Sequence, residues 1–102
     1  MNKLYTIRPL KWIRSNSPEA IYWSAWWSSN CIGNYSIERY REHRFSKWGE
    51  WQLNFEDRGA GSFKESLGSY IDLITAKKIA MKHFETKLDK ILKRRFVNSN
   101  LV

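Results

Sequence analysis

This sequence predicts an α+β domain: an antiparallel meander of three or four strands with one C-terminal helix packed on a single face. Three observations predict it. Five of the six tryptophans fall between residues 20 and 55, inside three segments that alternate like strands. The connections between those segments are short, which favours antiparallel neighbours. Beyond residue 72 the spacing of apolar residues changes from twos to threes and fours, as in a helix.

Residues 1–9 are mixed in character, and Pro9 confines any strand through it to an edge. Residues 10–14 form a first strand, with Leu10 and Trp12 on one face and Lys11 and Ile13 on the other. Asn16, Ser17 and Pro18 mark a turn. The strand at 21–29 carries aromatics in both registers, Trp23, Ala25 and Trp27 against Tyr22, Trp26 and Ser28. The first set is assigned to the core, and a slip of one residue would exchange Trp27 for Trp26. Residues 33–41 place Tyr35 and Ile37 on one face, with Ser36, Glu38 and Tyr40 on the other. Residues 48–55 alternate most cleanly, Trp51, Leu53 and Phe55 against Trp48, Glu50, Gln52 and Asn54.

Residues 56–71 hold Gly59, Gly61 and Gly68 and three serines, and are expected to be a long loop with a short extra strand near 69–71. Asp72 is placed to cap a helix, because its carboxylate can accept from the free amides of the first turn. That helix runs to about residue 96. Leu73, Ala76, Ala80, Phe84, Leu88 and Ile91 form its apolar stripe, with Ile79 and Leu92 at the margin. The expected core therefore joins Trp23, Trp27, Tyr35, Ile37, Trp51, Leu53 and Phe55 to Leu73, Ala76, Ala80, Phe84 and Leu88. The alanines allow the helix to approach the sheet closely.

With 102 residues there is room for one domain, expected over 1–97, with 98–102 a disordered tail. The net charge of +8 favours acidic partners, namely nucleic acid, a nucleoprotein complex or an acidic protein surface. Its distribution is uneven. Residues 1–15 carry four bases and no acid, residues 73–102 carry eight bases against Glu85 and Asp89, and the middle is slightly negative. The single cysteine, Cys31, excludes an internal disulfide and a cysteine-rich zinc cluster. Without a signal peptide or an apolar run of about eighteen residues, the chain is expected to be soluble and cytoplasmic, with no membrane partner.

No catalytic or metal-binding pattern is present, and neither an enzyme nor a cofactor is expected. Nothing in the spacing of His43 and His83 suggests a catalytic pair set beside a nucleophile or carboxylate, and both are read as structural or solvated. The glycines of residues 58–61 lack the strand-before, helix-after setting of a phosphate loop. Two features remain. Lys77, Lys78, Lys82, Lys90, Lys93 and Arg94, with Lys87 and Arg95, make the polar side of the helix strongly basic, a surface suited to phosphates. Tyr22, Trp26, Tyr40 and Trp48 are expected together on the open face of the sheet, either as a platform for bases or, ahead of that, as a protein-interaction or homodimer surface.

The pattern Trp23-Ser24-Ala25, Gly33-Asn34-Tyr35-Ser36-Ile37, Trp51, and Ala76-Lys77 with Ala80 and His83 resembles a loose group of small phage and prophage proteins. That resemblance implies a binding protein acting in the host cytoplasm, some of its kind being inhibitors of host defence complexes such as anti-CRISPR proteins. A more distant likeness is to the double-stranded-RNA-binding domain, whose sheet and final helix correspond to residues 21–55 and 73–96. Lys77 and Lys78 then match its phosphate-binding lysines. This chain departs from that family in having no first helix.

Overall fold

The computed structural model describes residues 8–15, 22–57 and 64–100, those from 93 on by backbone alone. The α+β class and the antiparallel meander stand. Among the described residues five strands form one sheet in chain order: β1 (Ile13–Arg14), β2 (Trp23–Ser29), β3 (Gly33–Tyr40), β4 (Trp51–Asp57) and β5 (Lys64–Tyr70). The helix α1 (Leu73–Asn100) follows and lies over β3, β4 and β5. No described helix is long and apolar enough to cross a membrane.

Strand pairing decides what faces the helix. Trp26 lies across from Ile37 and Ile37 from Leu53, while Ser28 lies across from Tyr35 and Tyr35 from Phe55. Directly opposed residues share a face. The helix side of the sheet is thus built from Tyr35, Ile37, Trp51, Leu53 and Phe55, all buried against Ala76, Ala80 and Phe84. Ala76 and Ala80 are fully buried, so backbone and sheet approach closely, as their size suggested.

The register of β2 is the reverse of the expected one. Trp26 packs at the margin of the core, whereas Trp23 and Trp27 take the opposite face, paired with Tyr40 and Ser36. The reason is room. The Tyr35 ring, with its centroid 4.7 Å from that of Phe55, fills the helix face beside Ser28, and the backbone of α1 packs over β3, β4 and β5. A serine fits there, and the bulkier Trp27 turns outward, where it is 39% exposed.

Four boundaries also move. The first strand, expected over 10–14, is confined to Ile13–Arg14. The third long strand begins at Trp51, which leaves Trp48 in the connection before it, closed by the Gly49 N–H donating to the Tyr40 carbonyl at 2.8 Å. The seven residues of β5 occupy part of the segment expected to be mostly loop. Its exposed serines and glycine give a weak strand signal, but the free edge of β4 supplies partners for its backbone. Leu53 pairs with Gly68 and Asn54 with Ser66, so Leu67 is an extra residue in a bulge, and Gly68 adopts a φ of 107° that suits glycine. Finally, α1 continues to Asn100, through the point where a tail was expected.

Local chemistry sets the ends of the elements. In the turn between β2 and β3, the Asn30 Oδ1 accepts from the amides of Ile32 and Gly33 at 3.0 and 3.2 Å. A Cβ at Gly33 would collide with the Glu56 carbonyl oxygen and with Phe55 ring carbons at 2.8 Å. Asp72 caps α1 as expected, accepting from the Thr75 N–H at 2.7 Å.

These positions order the cost of truncation. Trp51→Ala removes a buried ring and is expected to cost about 3–5 kcal/mol in urea denaturation. Trp27→Ala removes a partly exposed ring and is expected to cost at most about 2 kcal/mol. Equal costs would mean that β2 presents its other face to the core.

Candidate nucleic-acid interface

At the end of the helix face where β3 finishes and β4 begins, cations and tryptophans interleave. Arg39, on the same side of β3 as Ile37, holds its guanidinium carbon 4.2 Å from the Trp51 ring centroid and 4.6 Å from that of Trp48. Arg41 lies 4.5 Å from the Trp48 centroid. Trp51, Arg39, Trp48 and Arg41 therefore alternate. Next to them, the Lys77 ammonium sits 4.0 Å from the Trp26 centroid and 5.9 Å from that of Trp12, and Arg14, which pairs with Trp26 across β1 and β2, lies 5.9 Å from the Trp26 ring. Each such contact contributes roughly 0.5–2 kcal/mol, more as water is excluded.

The cluster is electrostatically strained. Burial, and then the like charges of Arg14 and Arg41, lower the Arg39 pKa below that of an ordinary guanidinium. Arginine nonetheless stays charged at neutral pH. The Arg39 Nε is enclosed without a hydrogen-bond partner. The sheet itself divides the charges of β3, because Glu38 points to the opposite face, where it accepts from the Tyr40 hydroxyl at 2.7 Å. That bond raises the Tyr40 pKa, and the Trp23 side chain hydrogen-bonds the same hydroxyl.

The middle of α1 differs. Lys87 meets Asp57, and His83 Nε2 approaches Glu65, each at 3.8 Å. These residues line a cleft of about 640 Å³ with Cys31, Ile32 and Lys90. The hydroxyl of Tyr35, wholly buried, lies 2.7 Å from His83 Nδ1; a ring that carries its proton on Nε2, toward Glu65, accepts from it. His83 thus satisfies a buried phenol. Among the described residues no group of three or more His, Cys, Asp or Glu is placed to hold a metal.

The residues singled out in the sequence separate into groups. Lys77 joins the cation–tryptophan cluster. Lys78 and Lys82 are exposed on α1, and Lys90 is exposed beside the cleft. The side chains of Lys93 and Arg94 lie outside the described residues. Of the four aromatics expected on the open face, only Tyr40 is on it; Tyr22 is exposed just before β2. Trp26 and Trp48 belong instead with the cations, Trp26 through the register of β2 and Trp48 through its contacts with Arg39 and Arg41. Sequence reading passed over Arg14, Arg39, Arg41 and Trp12 as site residues. The signal was Arg39-x-Arg41 followed by Trp48-x-x-Trp51, two short repeats that an antiparallel turn brings together. The chain matches no family model, no curated protein and no solved structure.

His83 gives the fold a pH dependence whose sign can be stated. Burial, the largest cause, lowers its pKa from the ordinary 6.5; Lys87 acts the same way and Glu65 opposes them. The unfolded chain therefore takes up this proton first as pH falls. Stability is expected to be full above pH 6.5 and to decline as pH drops through that value. In urea titrations between about pH 5.5 and 7.5, His83→Gln is expected to flatten that decline. An unchanged slope would assign it to other groups.

Proposed function

We propose that this protein is a non-catalytic binding module for nucleic acid, engaging phosphates through Arg14, Arg39, Arg41 and Lys77, with Lys78 and Lys82 extending the surface along α1. One observation carries the reading: cations of one sign are crowded at one end of the helix face, where Arg14 and Arg41 raise the cost of charge on Arg39. An anion bound among them relieves that repulsion. The basic ends of the chain supply the long-range attraction, since the net charge is +8. A nucleoprotein complex presents the same phosphates, so the inhibitor role implied by the likeness to small phage proteins uses the same surface.

A second reading rests on the open face. Ile13, Trp27 and Tyr40 are 65%, 39% and 49% exposed there, an apolar set that a protein partner or a second copy of the chain could cover. It uses the side of the sheet that α1 leaves bare, so the two surfaces can be tested separately.

Charge reversal at Arg14, Lys78 and Lys82 to Glu touches only exposed side chains. The triple variant is expected to lose at least about tenfold in affinity for a labelled oligonucleotide at low salt, with a shallower salt dependence, measured by fluorescence anisotropy. Unchanged binding would reduce these residues to a solvated surface. Trp27→Ser with Tyr40→Ser is expected to leave oligonucleotide affinity within about twofold of the parent. Loss of a dimer in light scattering on that substitution would favour the second reading.

A further inference from the structure

We infer, on the basis of the nucleic-acid reading, that the cluster reads the phosphodiester backbone and that its tryptophans are platforms for cations, not for bases. An exposed tryptophan in a strand-binding protein usually offers a ring face to a base. Here each ring already carries a cation. Trp48 carries Arg39 and Arg41, Trp26 carries Lys77 with Arg14 further off, and Trp51 carries Arg39 and is itself only 6% exposed. A base stacking on the face that carries a cation would have to displace it.

Arg39 keeps what a phosphate needs. A guanidinium lying over an aromatic face keeps its N–H donors at its edge, in a fork that matches two phosphate oxygens. Stacking also limits the rotamers of a long side chain before the ligand arrives, so less freedom is lost on binding. Arg39 is the anchor, held between Trp48 and Trp51; its Nε is enclosed, so the terminal nitrogens of the guanidinium are the ones that would meet a phosphate. Trp48 acts as a positioning residue, because it orders both Arg39 and Arg41. The ligand class is a phosphodiester chain read without regard to base identity.

Two probes of equal length separate the possibilities: an oligothymidylate, and an abasic phosphodiester strand carrying the same number of phosphates. At low salt the abasic strand is expected to bind within about fivefold of the oligothymidylate, since stacking of even one base contributes at least about that factor. A larger deficit overturns the inference while leaving the nucleic-acid reading intact. Failure of both strands to bind sinks that reading, and this one with it.

Trp48→Leu supplies a second discriminator, with folding checked by circular dichroism. It is expected to weaken both strands by the same factor, and Trp48→Phe to restore both. A loss confined to the oligothymidylate would show that Trp48 stacks on a base. No loss for either strand would remove Trp48 from the site.

Discussion

Close packing of Ala76 and Ala80 on the sheet is the constraint from which the rest of the structure follows. A helix bearing larger residues at those positions would ride higher and uncover Tyr35, Ile37, Leu53 and Phe55, which make up most of the apolar interior. With the axis drawn in, the neighbouring side chains have little choice of direction. Lys77, one position beyond Ala76, is brought over Trp26, and His83, one position before Phe84, is brought to the Tyr35 hydroxyl. One packing contact thereby places a cation in the cluster near the start of the helix and an imidazole against the buried phenol further along it.

The sheet then sorts charge by face. Alternation along β3 sends Arg39 toward the helix and Glu38 away from it, and each finds a different solution. Glu38 accepts from Tyr40 on the open face. Arg39 lies between two indole rings, which offset part of its desolvation by quadrupole attraction without cancelling its charge. A carboxylate in the place of those rings would have neutralised the cluster. Tryptophans stabilise the cations without neutralising them. Further along α1, Asp57 and Glu65 face Lys87 and His83, and the local field is mixed.

Much of the architecture was legible because it rests on local pattern. The clean alternation of Trp51, Leu53 and Phe55 identified their face, and Asp72 announced the start of the helix through a cap confined to four residues. The β2 register was not legible, because Trp23, Trp26 and Trp27 place aromatics on both faces and no periodicity can choose between them. Nor was β5, whose glycine and serines form a strand only because β4 offers an unpaired edge. The candidate site was half legible. Lys77 and the basic helix stood out by composition, but Arg39 and Arg41 lay in a segment of slightly negative net charge and gave no excess to notice.

The sequence by itself determined the class of fold, the basic character of the chain, and the apolar stripe that docks the helix. These depend on residue type and spacing, and both are properties of a short window. Tertiary structure alone decided which tryptophan faces the helix, which cations meet, and what lies over each ring. Those outcomes depend on the space left beside Tyr35 and on the distance between strands remote in sequence. Trp48 shows the difference most directly: its place in the alternation put it on the open face, and contact with Arg39 and Arg41 put it in the cluster.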